Sequence, residues 1–99
     1  MRKLPEIITV NVTAYDIEKG VQTSCMRCPI ARAFKRKIRT QKDVAFVVSH
    51  KEIRVYWKSV RIGVYPLPQI AQNFIRTFDA GGIVDPTKFS VICNNNLDY

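Results

Sequence analysis

The fold of this chain is decided by residues 44–65, which read VAFVVSHKEIRVYWKSVRIGVY. A short apolar run at 44–49 is typical of a central strand, and a turn at 50–51 follows it. In the next two runs, 52–58 and 60–65, apolar and polar side chains alternate as they do in half-buried strands. Because the connections are too short for anything but hairpins, the segment predicts a meander of three antiparallel strands.

Two amphipathic helices flank this meander. The first is predicted over residues 29–40, with Pro29 as a favourable first helical residue, and the second opens at Pro68 and ends at Gly81-Gly82. Each carries one apolar stripe, which predicts that both cover the same face of the sheet. The two stripes are Ile30, Phe34 and Ile38, and Ile70, Ala71, Phe74, Ile75 and Phe78.

The ends of the chain supply further strands. Residues 7–13 alternate like a half-buried strand, residues 89–93 predict a last strand, and residues 94–99 predict a frayed polar tail. Between the first strand and the first long helix, Thr13 and Gly20 suit the start and the stop of a short helix. The expected structure is therefore α+β: one small domain over residues 1–99, with a mostly antiparallel four- or five-stranded sheet and two helices on one face.

The charge of the chain is concentrated in its middle. The net charge is +8, yet the segment from residue 27 to residue 61 alone carries +9, with eleven basic residues and two acids. A basic block within a folded domain indicates an anionic partner, whereas the alternative is a solvated surface that keeps a small protein soluble.

The predicted anion-binding residues form two groups. On the first helix they are Arg32, Lys35, Arg36 and Arg39, which suit phosphate contacts. On the sheet face away from the helices they are Arg54, Tyr56, Lys58, Arg61 and Tyr65, in which tyrosines suited to base stacking interleave with cations. The alternative for the sheet group is an ordinary solvent-facing sheet surface, where long side chains pack across strands.

The cysteines allow three interpretations. Cys25 and Cys28 form a C-x-x-C that, with His50 and Cys93, has the ligand chemistry of tetrahedral zinc but lacks the paired spacing of a zinc finger. A C-x-x-C at a helix start also suits redox chemistry, although the flanking parallel βαβ pattern is missing. The favoured interpretation is that Cys28 and Cys93 are small buried apolar residues with free thiols, and that no cofactor is bound.

No catalytic constellation is apparent in the sequence. The chain has one histidine and none of the common nucleophile, phosphate-loop or metalloprotease motifs, so we expect no enzymatic activity. No stretch approaches the roughly 20 apolar residues of a membrane span, and the N-terminus predicts no signal peptide, so a cytoplasmic location is expected.

Three stretches carry a resemblance to a known group of proteins. They are the strand before Asp16-Ile17 and Gly20, the CMRCPIARA sequence that begins at Cys25, and the segment from Leu67 through FDAG at residues 78–81 to Phe89. Together they resemble small bacteriophage and mobile-element proteins to which no activity is assigned. The resemblance implies a phage accessory protein that acts by binding in a bacterial cytoplasm. The first hypothesis is binding to nucleic acid. The alternative is binding to an acidic or nucleic-acid-processing bacterial protein, as an inhibitor of a host enzyme or defence complex whose polyanion site the basic face would occupy.

Overall fold

A computed structural model describes residues 3–38, 43–94 and 97–99 of the chain. The elements follow in the order β1 (Ile7–Val12), α1 (Ala14–Lys19), α2 (Pro29–Ile38), β2 (Val44–Val48), β3 (Glu52–Trp57), β4 (Val60–Pro66), α3 (Gln69–Asp79) and β5 (Thr87–Ile92). All strand pairs are antiparallel, so the predicted α+β class is confirmed.

The five strands divide into two sheets, which corrects the expectation of a single one. β1 pairs with β5, and β2, β3 and β4 form the predicted meander. β5 itself ends before it reaches β4, and an isolated bridge from Asn94, beyond the end of β5, to Val64 links the two sheets. The two sheets therefore meet through the segment that follows β5.

One core joins the helices to both sheets. The ring of Phe34 on α2 lies 5.0 Å from that of Phe46 on β2 and 5.4 Å from that of Tyr65 on β4, both in edge-to-face geometry. α2 also packs against β1. Phe74 and Ile75 of α3 belong to the same cluster of buried side chains. The predicted apolar stripes thus face the interior, apart from Ile70, which is exposed.

Asn94, Leu97 and Tyr99 lie against the meander, where the sequence predicted a frayed tail. Asn94 and Val64 exchange backbone hydrogen bonds of 2.6 and 3.0 Å, and the amide of Leu97 donates to the carbonyl of Ile62 at 2.8 Å. The ring of Tyr99 lies 5.7 Å from that of Trp57. These contacts give the edge of β4 backbone partners that the sequence did not reveal.

Candidate anion-binding surface

The short helix α1 is fixed at its start by a reciprocal cap. Thr13 precedes the helix, and its hydroxyl accepts from the amide of Asp16 at 3.2 Å. The carboxylate of Asp16 in turn accepts from the amide of Thr13 at 3.0 Å. This capping box satisfies two backbone donors at once, which accounts for a helix of six residues at the place where Thr13 predicted one.

Asp16 also binds α2 through Arg36. Both terminal nitrogens of Arg36 donate to the two carboxylate oxygens at 2.6 Å, and Nη2 donates further to the carbonyl of Asn11 at 3.0 Å. Nε of Arg32 lies 3.6 Å from the same carboxylate. Asp16 is fully buried, and Arg36 is therefore a structural connection between β1, α1 and α2 as well as a surface cation.

The pKa values of this pair reflect their contact. Burial by itself raises the pKa of Asp16, but the hydrogen bonds from Arg36 and Thr13 and the charge of Arg36 outweigh it, so the pKa lies below its ordinary value. The hydrogen bonds that Arg36 donates to Asp16 raise the pKa of Arg36. Both groups therefore stay charged at neutral pH, and one carboxylate offsets part of the positive charge of α2.

A pocket of about 470 Å³ lies between α1 and α2 and is lined by Tyr15, Arg32, Lys35 and Arg36. A second pocket, of about 290 Å³, is lined by residues that include Arg36 and Lys37. Arg36 is common to both. We call Tyr15, Arg32, Lys35, Arg36 and Lys37 the α1–α2 surface. It contains three of the four anion-binding residues predicted on the helix; the fourth, Arg39, lies outside the described residues.

Like Arg36, Lys35 and Lys37 are exposed cations of the α1–α2 surface. Within the part of the chain that the structure describes, neither forms an ion pair with a carboxylate. The side chains of Arg32 and Arg36 are 34% and 45% exposed, respectively, although both lie at Asp16. The α1–α2 surface therefore presents accessible cations even though Arg32 and Arg36 are paired with Asp16.

On the sheet, Arg54, Tyr56 and Arg61 share the face that points away from α2, as predicted. Tyr56 and Arg61 are direct cross-strand partners on β3 and β4. Arg54 lies two residues along β3, and its Nε is 3.7 Å from a carboxylate oxygen of Glu52. This outer face therefore holds two cations beside one half-buried tyrosine.

Tyr65 does not belong to this outer face, which corrects the prediction. Tyr56 pairs with Arg61 and Val55 pairs with Gly63, so β4 has one extra residue, a bulge, between these two pairs. Side chains that follow the bulge therefore point to the face opposite to the one that simple alternation from Arg61 predicts. Tyr65 is fully buried opposite Ile53. Its hydroxyl donates to the carbonyl of Pro5, and burial raises its pKa. It is a core residue and is not available to a ligand.

Lys58 also departs from its predicted position. It lies in the turn between β3 and β4 with a positive φ of 48°, and its ammonium is 4.7 Å from the centre of the Trp57 ring. Side chains alternate between the two faces only within a strand. Because Lys58 lies in a turn, the alternation that predicted it on the same face as Tyr56 does not extend to it.

The helix and sheet groups lie on opposite sides of the molecule. Phe34 places α2 on the face of the meander that holds Phe46 and Tyr65. Arg54 and Tyr56 flank the buried residue Val55 along β3, so their side chains point to the other face. The two predicted groups therefore do not form one groove.

Three of the four residues considered for zinc do share a pocket. Cys25, Cys28 and His50 line a space of about 320 Å³ together with Asp79, whose carboxylate lies 3.1 Å from Nε2 of His50. Cys93 lies elsewhere, where a Cβ added to Gly63 would be 2.9 Å from its sulfur. Over residues 3–38, 43–94 and 97–99, no group of three or more His, Cys, Asp or Glu side chains is placed to hold a metal ion.

The two buried-cysteine predictions have different outcomes. Cys28 is buried, its sulfur accepts from the amide of Ala31 at 3.4 Å, and burial raises its pKa. Cys93 is partly exposed and contributes to the edge of the core, and burial raises its pKa as well. Cys25 is exposed.

Besides Lys37, sequence reasoning missed one residue of the α1–α2 surface, Tyr15. It is 58% exposed, and its ring centre lies 5.5 Å from the guanidinium carbon of Arg32 and 5.8 Å from the ammonium of Lys19. Tyr15 and Lys19 are four residues apart on α1, and this local spacing places their side chains on the same face of the helix. The position of Tyr15 beside α2 depends on how the two helices dock.

The chain matches no protein-family model, no curated protein and no solved structure. Among the described residues, none of the helices combines the length and apolar character needed to cross a bilayer.

Proposed function

We propose that this protein binds nucleic acid through the α1–α2 surface. The observation that carries the proposal is the pocket in which Arg32, Lys35 and Arg36 converge. Clusters of Lys and Arg bind the phosphates of nucleic acids, because they neutralise the phosphate charge and release condensed counterions. The concentration of positive charge between residues 27 and 61 supports the same conclusion.

The internal ion pair favours this role because it orders the surface before a ligand arrives. Arg36 uses its two terminal nitrogens on Asp16 and Asn11, which holds the guanidinium in one orientation. Lys35 and Lys37 extend beside it and remain accessible. An ordered cation loses less side-chain entropy on binding than a mobile one.

The test is the affinity for labelled DNA and RNA oligonucleotides, measured by fluorescence anisotropy over a series of salt concentrations. Affinity should fall steeply with salt, with a log–log slope near −0.9 per phosphate neutralised on duplex or about −0.7 on single strands. Replacing Lys35 or Lys37 with Gln should make that slope shallower by about one unit. Arg76→Gln on α3 is the matched control, since it removes the same charge from an exposed site outside the α1–α2 surface.

Two results contradict the proposal. One is the absence of DNA and RNA binding even at low salt. The other is a loss of affinity for Arg76→Gln equal to that for Lys35→Gln, which would show that only net charge matters. In the first case the host-inhibitor alternative is tested by pull-down from bacterial lysate, with a Lys35→Glu, Lys37→Glu double variant as the comparison.

A further inference from the structure

Tyr15 is an aromatic side chain held at the edge of a cationic pocket. More than half of its surface is accessible, at 58%, although Arg32 and Lys19 lie within 6 Å of the ring centre. Large aromatic side chains are usually buried, and an exposed one beside cations has the composition of a base-stacking platform.

Hydrogen bonds fix the backbone both before and after Tyr15 in the chain. Thr13 and Asp16 form the capping box, and Arg36 holds Asp16 from α2. The ring is therefore presented from an ordered position. A platform of this kind requires little reorganisation when a base stacks on it.

The same pocket supplies partners for the rest of a nucleotide. Its volume of about 470 Å³ falls within the usual range for small-ligand sites, about 300–1,000 Å³. Lys35 and Arg36 line it and suit the phosphate, whereas the guanidinium of Arg32 lies over the Tyr15 ring and suits stacking against the plane of a base.

From this arrangement we infer that the α1–α2 surface takes single-stranded nucleic acid, with one unpaired base stacked on Tyr15 and its phosphate at Lys35 and Arg36. This rests on the proposed function and narrows its substrate class. Bases within a duplex are stacked on one another and do not offer their faces to a side chain, so a duplex would use the cations alone.

The experiment compares three labelled probes of equal length: an oligothymidylate, an abasic oligomer with the same backbone, and a duplex. The wild-type protein should bind the oligothymidylate more tightly than the abasic oligomer, by roughly 5- to 150-fold for a single stacked base. Tyr15→Leu should remove that preference, and Tyr15→Phe, which keeps the ring, should retain it. Lys35→Gln should weaken the binding of the oligothymidylate and the abasic oligomer by the same factor.

The outcomes separate this inference from the proposed function. If Tyr15→Leu binds oligothymidylate as the wild type does while Lys35→Gln weakens it, the stacking inference is wrong and nucleic-acid binding stands. Equal weakening of both single-stranded probes by Tyr15→Leu, or tighter binding of the duplex by the wild type, also overturns the inference. If no probe binds, both proposals are wrong. Thermal unfolding of each variant verifies that the exposed substitutions leave the fold intact.

Discussion

At the scale of single residues, Asp16 is a buried charge that ties α1 to α2. It is the one charged side chain among residues 3–38, 43–94 and 97–99 that is fully buried. Its carboxylate meets two nitrogens of Arg36 and the amide of Thr13, so its lone pairs are satisfied and its charge is compensated. Part of the basic face of α2, at Arg36, therefore serves to compensate a buried charge.

We expect Arg36→Leu to destabilise the protein by about 3 kcal/mol in chemical denaturation. Removing one partner of a buried ion pair typically costs about 3–5 kcal/mol, and the half-exposed position of Arg36 places this case at the lower end. Lys35→Leu, one residue away and exposed, is the control and should change stability by less than about 0.5 kcal/mol. Equal effects of the two substitutions would contradict a structural role for Arg36.

The pH dependence of stability gives this prediction a second readout. Because the folded pKa of Asp16 is below its ordinary value of 3.8, its ion pair contributes fully above about pH 4 and is lost as the pH falls through the lowered pKa. The Arg36→Leu variant lacks the first of the two residues that lower this pKa, the other being Thr13, so its stability should depend less on pH in that range. A variant curve parallel to that of the wild type would show that the pair does not act in this way.

At the scale of elements, the docking of α1 on α2 creates the candidate site. A helix of six residues is too short to be stable alone, so tertiary contacts must hold α1 in place. Besides the ion pair, Gly20 at the end of α1 lies directly against Pro29 at the start of α2. Gly20 has an ordinary extended backbone, so the close approach, not its conformation, requires glycine there.

We expect Gly20→Ala to destabilise the protein by about 1–3 kcal/mol, the usual range for overpacking. The added Cβ would lie 2.7 Å from two ring carbons of Pro29 and 2.8 Å from the carbonyl oxygen of Asp16. Denaturation of a double-mutant cycle with Pro29→Ala measures the contact, because removing the ring should relieve part of the loss. Additive effects in that cycle would show that the Gly20–Pro29 contact is not the cause.

At the scale of the whole molecule, the segment after β5 joins the two sheets. β1 and β5 bring the two ends of the chain together, and residues 94 and 97 then pair with β4 of the other sheet. This arrangement supplies hydrogen-bond partners to a strand edge that would otherwise be open to pairing with another chain.

Deletion of residues 94–99 should lower the free energy of unfolding by about 3 kcal/mol. The reason is the loss of three backbone hydrogen bonds to Val64 and Ile62, each contributing about 1 kcal/mol. Asp98→Ala is the control, because it removes only an exposed ion pair with Lys3 at 3.8 Å and should change stability little. A truncated protein as stable as the wild type would indicate that the pairing with β4 contributes nothing.

The sequence by itself determined the elements that local periodicity specifies. Alternation predicted β3, spacing by four predicted α2, and Thr13 and Gly20 marked the ends of α1 close to where the structure has them. These signals are local because each depends on residues a few positions apart. The same alternation predicted that Arg54 and Val55 lie on opposite faces of β3.

Only the tertiary structure decided which of these side chains are available to a ligand. Tyr65 is buried because a bulge in β4 changes its face, and a bulge is set by strand pairing rather than by alternation. Arg36 meets Asp16 from 20 positions away, and Tyr15 joins the pocket only when α1 docks on α2. Contacts between elements depend on packing that no local pattern records, which is why the candidate site became visible only in the folded chain.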